Sequence, residues 1–185
     1  MLRNTENAYG WVAIAFHWAI ALLITGQWIL GKWMVRVDDQ RLTFELIQWH
    51  KSTGFLILAL VMLRLLWRVF NPPPELPASM PLVERSAARW SHRVLYVLML
   101  LLPLSGWALV SVSVLEIPTL AFYLILIPHL PFAKSEAAED FWATTHEILG
   151  WVMLAVVALH VLAALHHHFL LKDAVLRRML YSGHR

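Results

Sequence analysis

The run HEILGWVMLAVVALHVLAALHHHFLLK, residues 146–172, decides the fold. Between Glu147 and Lys172 lie 24 residues without a single Asp, Glu, Lys or Arg. A helix needs about 20 apolar residues to cross a bilayer. The same run carries His146 and His160. Their fourteen-residue separation is about 1400° of helix, about 40° short of four turns, and about 21 Å of rise. The two histidines therefore share one helical face at two depths.

Working outward, two more stretches are charge-free and long enough: residues 7–31, between Glu6 and Lys32, and residues 94–115, between Arg93 and Glu116. A fourth, Ser52 to Leu63, is adequate only if Lys51 sits at one interface while Arg64 and Arg68 reach toward the other. The spans are placed at roughly 11–34, 46–70, 88–112 and 142–171, with soft ends. The fold class is all-α: an integral membrane four-helix bundle, up-down, a single transmembrane domain over residues 1–185. The first span is too long for a signal peptide and no small-residue cleavage site follows it. Thr119–Ile127, fenced by Pro118 and Pro128, is too short to span as a helix and reads as a short interfacial or re-entrant segment in the third loop. Pro103 removes a backbone donor from helix 3 and is expected to bend it.

Composition agrees. The chain is 59% hydrophobic and 15% charged, whereas soluble domains are nearer 45–50% and about 25%. With no cysteine, disulfides, thiolate zinc sites, iron–sulfur clusters, thiolate catalysis and covalent haem attachment are excluded. Lysine and arginine set the orientation. Ten of the fifteen fall on the segments that hold the termini and the second loop, among them Arg3, Arg85, Arg89, Arg93, Arg177 and Arg178. The other five are Lys32, Arg36, Arg41, Lys51 and Lys134. Both termini are thus expected in the cytoplasm, with the basic tail on an anionic leaflet. Eight acids against those five bases leave the outer segments at −3, a sign that repels small anions. The proline-stiffened loop Asn71–Arg89 (Pro72, Pro73, Pro74, Pro77, Pro81) lies inside. Trp11, Trp33, Trp49, Trp67, Trp90 and Trp142 fall near helix ends, as aromatic belts do. No internal repeat, Gly-rich phosphate loop or nucleic-acid partner is indicated.

Ten histidines need an account in so apolar a chain. His17 lies about 9 Å from the inner end of helix 1; His50 and His146 lie about 6 Å from the outer ends of helices 2 and 4. His17 can meet His160, and His50 can meet His146. Two cross-helix imidazole pairs are what two bis-histidine haems require. Gly54 and Gly150 sit one turn below His50 and His146, where a flat macrocycle would press on the backbone. Arg64, fourteen residues after His50, is placed to neutralise an inner haem propionate, and Lys51 an outer one. A single membrane histidine is more often a packed hydrogen-bonding group than a ligand; four at matched depths favour ligation. Bare zinc fits poorly, because Glu147 points about 100° away from His146. His167, seven residues past His160, suits proton exchange or a quinone site, with interfacial anchoring of His166, His167 and His168 as the plain alternative. His92 has no counterpart in the spacing and is given an interfacial or quinone-pocket role. His129 and His184 are expected to be solvated. Trp18, beside His17, is expected to pack in the core, with flanking of the inner haem as the alternative.

The segments FHW (16–18), WHKSTG (49–54), RLLWRVFNPPP (64–74), THEILGW (145–151) and LHVLAALHHHF (159–169) resemble the bacterial cytochrome b561 family of small dihaem membrane proteins. The resemblance covers nearly the whole chain in order. It implies haem b ligated by His17 with His160 and by His50 with His146, a bacterial inner membrane, and electron exchange with ubiquinone. One branch is similar to superoxide oxidases, so superoxide or a redox protein is the expected donor. No residue looks like a nucleophile or general base, so any enzymatic activity would be membrane oxidoreduction. Two other readings are a haem-b anchor subunit for a separate dehydrogenase and, from another class, a non-redox membrane metal carrier. Lipid and quinone are the expected partners; oligomeric state is open.

Overall fold

The structure, a computed structural model, describes residues 1–76 and 80–182. Pro77 and His184 lie outside the described residues. The elements in order are α1 (Trp11–Met34), α2 (Gln40–Phe70), α3 (Leu82–Val112), β1 (Thr119–Ala121), β2 (Ile125–Ile127), α4 (Glu136–Phe169) and a single 3-10 turn (Arg177–Met179). The four helices are each long and apolar enough to cross a membrane. The expected all-α integral membrane bundle is what the chain forms. Lipid explains why large apolar residues stay uncovered: Leu22, Val69 and Leu159 are each about two-thirds exposed or more, because between such helices there is no hydrophobic drive to hide them.

α1 begins where expected. α2, α3 and α4 each begin six residues earlier than expected, at 40, 82 and 136 rather than 46, 88 and 142, and α4 stops at Phe169. Charge-free stretches locate the part of a helix inside hydrocarbon, whereas caps locate its end. The Asp39 carboxylate accepts the Leu42 N–H at 2.9 Å, and the Ser135 hydroxyl accepts the Ala138 N–H at 3.2 Å. Glu136 and Glu139 add negative charge at the positive end of α4. Pro81, which cannot continue a helix backwards, precedes α3, and its carbonyl accepts the Arg85 N–H at 3.0 Å. α3 continues through Pro103.

α1 is closed differently. The carbonyls of Met1 and Leu2 accept the first N–H groups of the helix, from Trp11 and Val12. Asn4 ties this strap to the Asn71 and Pro72 carbonyls at 3.0 and 3.1 Å. Gly10 is needed because a Cβ there would lie 2.2 Å from the Leu2 oxygen.

The described chain divides into two compact units, each drawing a segment from all four helices. The first comprises Met1–Ala21, Leu60–Val97 and Ala155–Arg185; the second comprises Leu22–Ala59 and Leu98–Leu154. Ile14, Ile20 and Val61 are buried in the first. Ile57, Leu98, Met99, Ala108, Val112 and Met153 are buried in the second.

Thr119–Ile127 forms an antiparallel hairpin within the second unit, pairing Thr119 with Ile127. Its turn holds Phe122 and Tyr123 at φ 51° and 60°, a left-handed conformation that side chains of this size rarely adopt. Surrounding bonds hold it there. The Ser52 hydroxyl accepts the Phe122 N–H at 2.9 Å and donates to the Gln48 carbonyl at 2.7 Å. Gln48 and Lys51 donate to the Pro118 carbonyl, and Trp107 to that of Pro128. Phe122 also packs edge-on against Trp49. Ser52→Ala should cost about 1–3 kcal/mol, because it strands a part-buried N–H at the strained turn. A lowered thermal midpoint in detergent, with faster proteolysis at residues 122–124, is the expected result.

Candidate functional site

Within the first unit, α1 and α4 bring His17 and His160 together, with ring centroids 6.3 Å apart. In the second unit, α2 and α4 bring His50 and His146 together at 6.1 Å. Imidazole nitrogen binds a transition metal at about 2 Å and lies about 1 Å from its own ring centre. Two imidazoles on opposite sides of one metal ion therefore have centroids about 6 Å apart. Both expected pairs have that separation.

A haem at such a pair needs an imidazole nitrogen with a free lone pair and open space beside it. At the His50–His146 pair the polar contacts favour ligation. The His146 Nδ1 lies 3.1 Å from the Leu102 carbonyl, which can only accept, so Nδ1 carries the proton. The Ser105 hydroxyl donates to that same carbonyl at 2.7 Å and accepts from Nδ1 at 2.9 Å. Nε2 keeps its lone pair, as a metal ligand must. The His50 Nδ1 is buried with no hydrogen-bond partner among the described residues. A Cβ at Gly150 would meet nothing within 4 Å, and one at Gly54 only the Gln27 amide at 3.6 Å. The space expected one turn below each histidine is therefore open. These residues fit a haem.

Two glycines escaped the sequence reading. A Cβ at Gly31 would lie 3.2 Å from the His50 Cε1, and one at Gly106 would lie 3.1 Å from the His146 Cε1. A signal for them exists. Gly31 follows His17 by fourteen residues, and Gly106 follows His92 by fourteen, the same interval that joins His146 to His160.

At the other pair, Arg64 Nη2 approaches the His17 Nδ1 at 3.2 Å. Arg64 and Arg68 both stand over the Tyr96 ring, at 5.5 and 5.6 Å. Burial pushes the Tyr9 phenol up from its ordinary value, against the opposing pull of Arg68 and Arg64, so it stays neutral near pH 7. His92, without a counterpart in the spacing, packs its ring 5.4 Å from that of His160. Trp18 stands edge-on to His17 and donates its indole N–H to the Met179 carbonyl at 2.7 Å. It therefore flanks the histidine directly.

Lys51 donates to the Pro118 carbonyl at 3.3 Å. His167 Nδ1 meets the Asp173 carboxylate at 2.5 Å. Sequence reasoning missed Asp173 because it lies beyond the end of α4, where the chain turns back at Lys172, φ 54°. His166 is exposed, as an interfacial residue would be, and His168 is half-buried. His129, expected in solvent, is half-buried with its Nε2 enclosed and unpartnered among the described residues. Among the described residues no group of three His, Cys, Asp or Glu side chains could hold a bare metal ion.

Membrane-spanning helices that bring imidazoles into two pairs, with centroids 6.3 and 6.1 Å apart, in a chain without cysteine define a class, the multi-pass membrane redox proteins. Comparison with known proteins gives the particular group. Residues 8–182 match the prokaryotic cytochrome b561 family, and the chain belongs to it. Membership makes it a bacterial membrane electron-transfer protein and implies a b-type haem. Cytochrome b561 homolog 2 of Escherichia coli (strain K12) is 34% identical over 179 residues, covering 96% of this chain and 93% of that one. A probable superoxide oxidase CybB of Yersinia pestis is 32% identical over 187 residues, covering 95% and 97%. Cytochrome b561 homolog 1 of the same E. coli strain is 26% identical over 178 residues, covering 94% and 97%.

Gly106→Val should crowd the His146 ring and lower the haem-to-protein absorbance ratio of the purified protein. Gly26→Ala, where a Cβ meets nothing within 4 Å, should leave the ratio unchanged.

Proposed function

We propose that the protein is a dihaem b cytochrome that passes electrons between a donor on the outer side of the membrane and the ubiquinone pool. In this reading both termini are cytoplasmic, His17 and His160 hold the inner haem, and His50 and His146 hold the outer one. The observation that carries it is the pair of facing imidazoles in each unit, with centroids 6.3 and 6.1 Å apart.

Haem bound at such pairs supplies one-electron chemistry. The chain's own residues do the rest. The Leu102 carbonyl and Ser105 hydroxyl orient His146 by holding its Nδ1 proton. Gly31 and Gly106 let α1 and α3 approach the ligand rings. Arg64 and Lys51 are the cations available to propionates. The apolar helices exclude water. For quinone, His167 is the proton donor, its ring held by the Asp173 carboxylate, with His92 as the second candidate.

Superoxide is the donor favoured here, on the strength of the relative described as a probable superoxide oxidase. Two superoxide ions would each release one electron and leave as dioxygen; one quinone would take the two electrons with two protons. Steering of that anion would depend on few free cations, because Lys32, Arg41 and Lys134 are paired with Glu147, Glu45 and Glu116.

Pyridine haemochrome measurement should give two haems per chain. His17→Ala or His160→Ala should each leave one, and one haem in the unaltered protein would overturn the pairing. Superoxide should reduce the oxidised protein and, with quinone present, yield quinol; an oxidised spectrum unchanged by superoxide but altered by dithionite would exclude this donor.

A further inference from the structure

The two units treat their cations differently. In the second, Lys32, Arg41 and Lys134 are neutralised by Glu147, Glu45 and Glu116. In the first, Arg64, Arg68, Arg89, Arg93 and Arg178 form no ion pair among the described residues. Arg68 makes no hydrogen bond among them either, and it is exposed.

Three of these arginines gather around two phenols. Arg64 and Arg68 are one turn apart on α2, and both stand over the ring of Tyr96 on α3, at 5.5 and 5.6 Å. Tyr9 lies at the entry to α1. Burial keeps its phenol protonated, against the charges of Arg68, Arg64 and Arg178 that act on it. Arg178 gives one N–H to the Glu75 carbonyl at 2.8 Å. A guanidinium only donates, and a neutral phenol has an O–H to give. The cluster therefore offers donors and positive charge. Like charges held together away from bulk water repel, and an anion among them would remove that cost.

Depth and surroundings say where the anion comes from. The charge-free run of α2 ends at Leu63, and Arg68 stands five residues beyond it, about 7.5 Å of rise. Lipid headgroups occupy about 5–8 Å beyond each face of the hydrocarbon. Leu66, Val69 and Phe70 are exposed on the same turns of α2, so acyl chains have an apolar wall beside the charge. Basic pockets between membrane helices are a recurrent place for acidic headgroups. A haem carboxylate fits Arg68 less well than it fits Arg64. Arg64 is the one that reaches the His17 ring, at 3.2 Å, and Arg68 lies about 6 Å further along the helix.

We propose that Arg68, with Arg64 and the phenols of Tyr96 and Tyr9, forms a headgroup site for an anionic phospholipid between α2 and α3. The lipid phosphate accepts guanidinium N–H groups, the kind of charge-assisted contact that arginine makes best. Arg68 supplies the outward charge, and the Tyr96 ring holds both guanidinium groups in place. The site does not depend on haem at either imidazole pair.

The test is native mass spectrometry of the purified full chain in detergent, with phosphatidylglycerol or phosphatidylcholine added at equal mole fraction. Wild type should retain phosphatidylglycerol in preference to phosphatidylcholine. Arg68→Gln should weaken phosphatidylglycerol binding about fivefold, the weight of one arginine at an anionic surface. Arg68→Lys should recover part of the loss. Arg36→Gln, which alters an arginine of the second unit, should change nothing. The haem-to-protein ratio should stay constant throughout. In melting followed by tryptophan fluorescence, phosphatidylglycerol should raise the midpoint, whereas inorganic phosphate at the same concentration should not. Equal retention of the two lipids, or undiminished phosphatidylglycerol binding in Arg68→Gln, would overturn the inference. An equal effect of inorganic phosphate would make this a free-anion site and overturn the lipid assignment. A folded Arg68→Gln chain depleted of haem would assign Arg68 to the haem and overturn it as well. Should Arg68→Gln fail to fold, the wild-type comparison of the two lipids decides alone. None of these outcomes turns on how many haems the chain carries, so failure here leaves the dihaem reading standing.

Discussion

A polar ring inside a hydrocarbon-embedded helix is costly and marks function, and this protein sets four imidazoles in two cross-helix pairs. His17 faces His160 and His50 faces His146, each across two helices. Much else can be understood as what those rings demand. The Leu102 carbonyl and Ser105 hydroxyl near Pro103 hold one ring's proton. Glycines on α1 and α3 remove the side chains that would collide with the His50 and His146 rings. Because the helices lie in lipid, little stabilisation comes from hiding their outer faces; specific polar contacts and close packing must determine how they meet.

The ends of the helices obey a different rule. Inside hydrocarbon every backbone group is satisfied within the helix. Beyond it, termination depends on local chemistry: Asp39, Pro81 and Ser135 start three helices in the polar zone, and the Met1–Asn4 strap starts the fourth. Hydropathy is blind to this, which is why three starts lay six residues outside the expected spans. The third-loop hairpin is similar. Its brevity and its flanking prolines excluded a spanning helix, but a turn through Phe122 and Tyr123 has no glycine or asparagine to announce it. It holds because Ser52 and Trp49 on α2 receive it.

One interval runs through all four helices. Fourteen residues separate His17 from Gly31, His50 from Arg64, His92 from Gly106, and His146 from His160. Two of those pairs were legible as chemistry because histidine and arginine are conspicuous in apolar sequence. The other two include glycine, which says nothing about depth or facing until a neighbouring ring is known to lie 3.1–3.2 Å from where its Cβ would be. The interval also brought His92 to the face that meets His160.

The sequence by itself determined the membrane class, the four helices, the two histidine pairings and the absence of covalent haem attachment. These follow from periodicity, charge-free length and composition, all of which are local properties of the chain. Tertiary structure alone decided which atom each imidazole offers to its neighbour. A carbonyl from α3 reaches one ring and a guanidinium from α2 reaches another, although both rings are histidines in similar apolar helices. Hydrogen-bond direction depends on what stands within about 3 Å in space, and residues that far apart in the chain leave no local trace of it.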